Sequence, residues 1–149
     1  IFHISPRRVR SVVAKRVMNI WWLGWVLKGT GCVPTNGSSK STLAVLDNEE
    51  EVLIFPEGRC EIKPGNMLPA HTGVAVFALK TGAPVVPVYV KGTFEAWPIG
   101  NIFPRFFKRL EARFGPAILF EKVNMEVIPR DTLSQATDKI MEEIKKLNA

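Results

Sequence analysis

The sequence predicts an α/β domain with a mixed, mostly parallel sheet flanked by helices. Two observations carry this. Apolar runs of strand length, Val52 to Phe55 and Pro84 to Lys91, are nearly continuous, as in strands buried on both faces. Between and around them lie segments of helical length and pattern, closing with Asp131 to Leu147. At 149 residues, with 46% apolar and 23% charged residues, the chain is long enough for one folded domain, read as 1–149.

In order, Ile1 to Pro6 reads as strand or loop. Arg7 to Lys15 carries β-branched Val9, Val12 and Val13 and is expected as a strand. Val17 to Gly29 has helical composition, with Trp21 and Trp25 one turn apart. Cys32 to Thr35 is a short strand, Asn36 to Ser39 a turn, and Ser39 to Asn48 a helix with Leu43 and Leu46 inward. The strand Val52 to Phe55 follows and stops at Pro56, which has no N–H to donate. A long loop leads to a helix from Gly73 to Lys80, with Thr72 as N-cap and Gly82 as terminator. After the strand Pro84 to Lys91, Trp97 to Pro104 is a loop. Phe103, Phe106 and Phe107 beside Arg105, Lys108 and Arg109 read as a loop packed on the domain's end. Leu110 to Phe114 is a strand, and Ala117 to Val123 a strand or extended segment. Asp131 to Leu147 is an amphipathic helix with Ile140, Ile144 and Leu147 inward.

Charge and composition narrow the function. The net charge is +6, and its excess lies in the first third: Ile1 to Leu46 holds seven Lys and Arg and no acid. That polarity suits an anionic partner, whether nucleic acid, lipid headgroup or phosphorylated substrate. Cys32 and Cys60 provide neither a disulfide framework nor metal spacing, and His3 and His71 lack clustered partners, so no metal site is expected. The charge-free run Val17 to Leu27 has eleven residues, well short of the ~20 of a membrane span. It follows basic residues, but Lys28 interrupts a signal-peptide reading. The opening Ile leads to the expectation that the true N-terminus lies upstream.

The stretch VLIFPEGRCEIKPG, Val52 to Gly65, organises the rest. It places Glu57, Gly58 and Arg59 on a turn at a strand's exit, where open α/β sheets bind ligands. A guanidinium fork there matches phosphate oxygens, although a structural Glu57–Arg59 ion pair would leave the same sequence. The order of motifs resembles the glycerolipid acyltransferase family, which includes the 1-acylglycerol-3-phosphate acyltransferases. Phe55-Pro56-Glu57-Gly58-Arg59 is followed by Gly65, Leu68-Pro69 and Gly73-Val74-Ala75, then by Val86-Pro87-Val88 and Lys91-Gly92-Thr93. Upstream, Leu23 to Pro34 matches the family's helix and following strand. The similarity covers at least Arg7 to about Phe120.

The resemblance implies acyl transfer from acyl-CoA or acyl carrier protein to a lysophospholipid such as 1-acylglycerol-3-phosphate, with no cofactor. It implies that Arg59 and the Gly58 backbone hold the acceptor phosphate, that Glu57 orients the glycerol hydroxyl or fixes Arg59, and that Pro87 and its strand shape the acyl or pantetheine side of the cleft. For Pro87 and Lys91 a plain buried strand ending in a solvated Lys fits the sequence equally well. Two departures stand out. The family's His, four residues, then Asp is absent: Arg8 stands five residues after His3, and Val76 five after His71. No catalytic residue is therefore assigned in this chain, which is expected to be cut just after that motif and inactive alone. The Arg that often follows the family's second strand is replaced by Asn36-Gly37-Ser38-Ser39. The expected setting is the cytoplasmic face of a membrane, with peripheral contact to anionic lipid through the basic first third and Trp21, Trp22 and Trp25. Alternatives are a non-catalytic lipid- or phosphate-binding module of the same fold, and a nucleic-acid binder, for which no motif is present.

Overall fold

The computed structural model describes residues 7–14, 18–19, 21–35, 39–59, 67–98, 101, 103, 105 and 107–148. The expectations for residues 1–6, 36–38 and the stretch holding Cys60 to Gly65 lie outside them, as do the side chains of Trp21 and Trp22.

β1 (Val9–Ala14) is the centre of a three-stranded parallel sheet. β2 (Val33–Thr35) pairs with it on one side, Val12 opposite Val33, and β3 (Glu51–Leu53) on the other, Val9 opposite Glu51. The crossovers are α1 (Trp21–Gly29) and α2 (Lys40–Asp47), as parallel pairing requires. One side chain ties the amino-terminal edge of all three strands. Arg10 on β1 donates from Nε and from Nη2, the latter at 2.9 Å, to the two carboxylate oxygens of Glu50 just before β3. Its Nη1 reaches the carbonyl of Gly31, just before β2, at 3.4 Å.

The sheet stops early at β3: Ile54 and Phe55 are outside the ladder, and Phe55 is exposed, because the chain already turns at Pro56. The expected strand to Phe55 is thus two residues too long. α3 (Gly73–Thr81) ends as its sequence implies: Gly82 takes φ 70° and its N–H bonds Ala78 O at 2.8 Å. Thr72 sits at the N-cap position but makes no capping bond, and neither does Ser39 before α2. On α2 the buried residue is Thr42, with Leu43 and Leu46 half-buried.

The run Pro84 to Lys91 gives only β4 (Val88–Lys91), and it is antiparallel, paired with β5 (Glu111–Phe114) in a separate two-stranded sheet. Pro84 and Pro87 remove two N–H donors, so ahead of β4 the ladder shrinks to one bridge, Val85 to Ile118. The mixed α/β class holds, but its parallel and antiparallel parts form two ladders among the described residues. The single turn α4 (Thr93–Ala96) had no sequence signal long enough to mark it.

α5 (Arg130–Lys146) is the main buttress. Ala136, Thr137, Ile140, Met141 and Ile144 form its buried stripe at helical spacing, with Asp131 in the first turn and Lys145 and Lys146 in the last, as the helix dipole favours. Two apolar clusters meet on it. Ala75 and Leu79 of α3 join Ala136 and Ile128, while Ile118 joins Ile140, Met141 and Ile144. Met67 and Ala70, from the segment entering α3, and Val74 in its first turn pack on the second cluster.

Ile140 is 1% exposed, so Ile140→Ala is expected to cost about 2–5 kcal/mol, read as a lower urea midpoint. The Arg10 hydrogen bonds, aided by the charges of Arg10 and Arg8, hold the Glu50 carboxyl below its ordinary 4.5. A carboxyl whose folded value is depressed stabilises the fold above its unfolded pKa and loses that contribution as pH falls through the folded one. Urea midpoints at roughly pH 6 and roughly pH 3.5 should therefore converge more in Glu50→Gln than in the parent chain.

Candidate functional site

Because β1, β2 and β3 are parallel, their carboxyl ends, Ala14, Thr35 and Leu53, share one edge. The chain leaves β3 at that edge through Ile54 and Phe55 and reverses at once. Gly58 N–H bonds Phe55 O at 3.1 Å, closing a turn over Pro56 and Glu57. Proline at the second position presets the backbone, and glycine at the fourth allows the left-handed exit, φ 65° at Gly58. A second constraint acts on the same glycine: a Cβ there would lie 2.8 Å from Cδ2 of His71.

The turn is fixed from the other side by the segment before α3. Glu57 Oε2 accepts the N–H of Leu68 at 2.7 Å, and Pro56 O accepts the N–H of His71 at 2.8 Å. Met67 and Ala70, on either side of Leu68, are packed on the Ile140 cluster. A chain of contacts therefore runs from the core, through residues 67–71, to the turn.

Glu57, Gly58 and Arg59 lie on and just after the turn that the sequence predicts, in different surroundings. The Glu57 carboxylate is half-buried and spends one oxygen on Leu68 N–H; among the described residues no ion pair joins it to Arg59. Arg59 is exposed at the end of the turn and has no ion-pair partner among the described residues. The arrangement presents a guanidinium to solvent at the sheet's carboxyl edge.

Pro87 and Lys91 fall elsewhere. Pro87 is fully buried: its carbonyl accepts Gly115 N–H at 2.9 Å, and a Cβ on Gly115 would sit 2.9 Å from its ring. It can shape a cleft only through the position of its strand. Lys91, exposed at the end of β4, lines a cleft of about 320 Å³ with Gly92, Glu95, Lys108, Arg109 and Glu111. Gly92 is required there: its φ is 90°, and a Cβ would approach Arg109 O to 2.3 Å. Glu111 is held below the ordinary carboxylate range by the hydrogen bond and charge of Arg113, with Arg109 and Lys91 adding to it. Glu57, Gly58 and Arg59 do not line this cleft.

Sequence reasoning overlooked three features. The backbone N–H groups of Leu68 and His71 brace the turn, and no local pattern foretells contacts between residues so far apart in sequence. Lys108 and Arg109 belong to the Lys91 cleft; their basic run is visible in the sequence, but nothing in it links the run to Lys91. Among the described residues no group of His, Cys, Asp and Glu could hold a metal ion, and no helix is long and apolar enough to cross a membrane.

The chain is similar to known proteins in sequence and in fold. The model of the family described as Acyltransferase matches residues 1–91. A chloroplastic 1-acyl-sn-glycerol-3-phosphate acyltransferase of Brassica napus is 31% identical over 87 residues, covering 53% of this chain and 25% of that protein. A 1-acyl-sn-glycerol-3-phosphate acyltransferase of Cocos nucifera is 41% identical over 54 residues, covering 36% of this chain and 17% of that protein. The crystal structure of the 1-acyl-sn-glycerophosphate acyltransferase PlsC from Thermotoga maritima superposes with a TM-score of 0.69 at 18% identity, over 93% of this chain and 55% of that one. The chain thus spans about a quarter or less of the curated relatives it matches, and about half of the solved structure. With the family model matching more than half of its residues, and with a parallel sheet flanked by helices that superposes on a solved acyltransferase, the chain belongs to the acyltransferase family.

Proposed function

We propose that this chain is the acceptor-binding part of a phospholipid-synthesis acyltransferase, which moves an acyl group from a thioester donor to the free hydroxyl of a lysophospholipid such as 1-acylglycerol-3-phosphate. The observation that carries the reading is Arg59, exposed and without an ion-pair partner among the described residues, at the carboxyl edge of a parallel sheet on a turn braced from the core. A planar fork of N–H donors in that place is suited to a phosphate. The named relatives act, by their names, on 1-acylglycerol-3-phosphate, and Phe55 to Arg59 resemble the family's motif.

The chemistry follows from holding that phosphate. A base removes the proton from the acceptor hydroxyl, and the oxygen attacks the thioester carbonyl. The carbon–sulfur bond then breaks, an ester forms, and the thiolate leaves and takes up a proton. General base catalysis of this kind contributes ~10²–10⁴ in rate. Arg59 and the Gly58 backbone fix the phosphate, and with it the hydroxyl; placing reactants this way is a large part of the acceleration. Glu57 secures the turn through Leu68 and so fixes the position of Arg59. The base is a His oriented by an Asp in the family's spacing, which these 149 residues do not contain. The donor, acyl-CoA or acyl carrier protein, approaches at the side shaped by Pro87 and its strand, and Lys91 offers a further cation.

A second reading, a lipid- or phosphate-binding module without catalysis, is favoured by that missing His and Asp. Radiolabelled acyl transfer decides between them. The parent protein, if it carries the His-Asp motif upstream, should acylate lysophosphatidic acid, whereas the 149-residue chain alone should not. No transfer by such a parent to any lysophospholipid would leave the binding module.

Arg59→Ala should weaken acceptor binding by about tenfold or more, the loss of a charge-assisted bond, while the melting temperature stays within a degree or so. Arg59→Lys should recover part of it, since a point charge cannot make the fork. Gly58→Ala should do both kinds of damage. A left-handed alanine costs ~1–2 kcal/mol and the methyl would press on His71, so melting temperature and acceptor affinity should fall together.

A further inference from the structure

The loop that joins α4 to β5 exposes an apolar set that the fold does not use. Phe107 is fully exposed at 105%, Phe103 at 72% and Leu110 at 57%. Phe107 also sits at φ 72°, a left-handed backbone that a bulky residue rarely adopts. The sequence expectation that this loop packs on the domain's end is therefore corrected: these rings point away from the core. A ring held outward in a disfavoured conformation marks a place where something meets it.

The charges on the same loop say what. No Asp or Glu occurs from Ala96 to Leu110, and Arg105, Lys108 and Arg109 are all exposed there. Apolar tips interleaved with cations, and no acid among them, is the composition by which a surface segment meets an anionic bilayer. A protein partner would call for a patch whose centre is depleted of charge, and here cations alternate with the rings. Trp97, at the base of the loop, is partly exposed and donates Nε1–H to Asn101 O at 2.8 Å, with the apolar body and polar tip of an interfacial residue. Lys108 and Arg109 also line the cleft that holds Lys91.

We propose that this loop is a membrane-contact surface for anionic phospholipid bilayers. Phe103, Phe107 and Leu110 enter the headgroup boundary, and Arg105, Lys108 and Arg109 engage lipid phosphates. The Lys91 cleft then opens at the level of the headgroups. The inference does not depend on acyl transfer, and it puts the contact on a different part of the chain from the basic first third.

Co-sedimentation of the full chain with phosphatidylcholine vesicles, with and without phosphatidylglycerol, tests it. The parent chain should bind the anionic vesicles about tenfold or more tightly than the neutral ones. Phe103→Ser with Phe107→Ser, and separately Arg105→Gln, Lys108→Gln and Arg109→Gln together, should each weaken that binding about tenfold or more at unchanged melting temperature. Trp25→Ser, at an exposed position of α1, should leave it nearly unaltered. The proposal is overturned if the parent chain ignores anionic vesicles or if the loop variants bind as it does. It is also overturned if the Ser variants melt well below the parent, which would mean the rings pack on the domain after all.

Discussion

One hydrogen bond does the most to make a site of this chain: the N–H of Leu68 on Oε2 of Glu57, at 2.7 Å. It joins the turn that leaves the parallel sheet to the segment that enters α3. Without it, the bonds among the described residues that hold the turn would be backbone ones, Gly58 N–H to Phe55 O and His71 N–H to Pro56 O. With it, a carboxylate that looks like a substrate group becomes the fastening on which the adjoining guanidinium relies. A charge-assisted bond of this kind is stronger than a neutral one, and it is half-buried, where competition from water is reduced.

The fastening matters because of what stands behind it. Met67 and Ala70 flank Leu68 and pack on the cluster formed by Ile118 with Ile140, Met141 and Ile144. The carboxy-terminal helix, far along the chain from Arg59, thus sets the position of the segment that grips Glu57. At the opposite edge of the sheet, Arg10 performs a comparable task, drawing Glu50 and Gly31 onto the central strand. The parallel sheet is braced at its amino-terminal edge by one ion pair, while its carboxyl edge keeps its arginine outward. Under the proposed function that asymmetry has a use: a paired arginine gives order, and one without an ion-pair partner among the described residues is open to a phosphate.

The elements that carry strong local signals were legible in the sequence. Val9, Val12 and Val13 marked β1, the Gly82 stop was found at φ 70°, and the stripe of α5 followed its helical spacing. What failed were readings that depend on partners far along the chain. The run Pro84 to Lys91 is apolar enough for a central parallel strand, yet its orientation is set by pairing with Glu111 to Phe114, and its length by the donors that Pro84 and Pro87 lack. In the site, residue identities pointed to a turn at Glu57, Gly58 and Arg59, and the chain turns there, closed by Gly58 N–H on Phe55 O. They could not say that Glu57 would spend an oxygen on Leu68, that His71 would lie over Gly58, or that Pro87 would be buried against Gly115. Composition also showed the rings of Phe103 and Phe107 but not their direction, since an aromatic beside a cation suits a packed loop and an exposed one alike.

The central claim is that Glu57 acts on the acceptor through Arg59, by fixing the turn that carries both. A double-mutant cycle measures this directly, as the dissociation constant for lysophosphatidic acid in the parent chain, Glu57→Ala, Arg59→Ala and the double variant. Residues that work as one unit give strongly non-additive losses, with coupling of ~0.5–3 kcal/mol. The account predicts that Glu57→Ala loses nearly as much affinity as Arg59→Ala, and that the double variant is hardly worse than either. Additive losses, or a Glu57→Ala chain that binds as tightly as the parent, would contradict it.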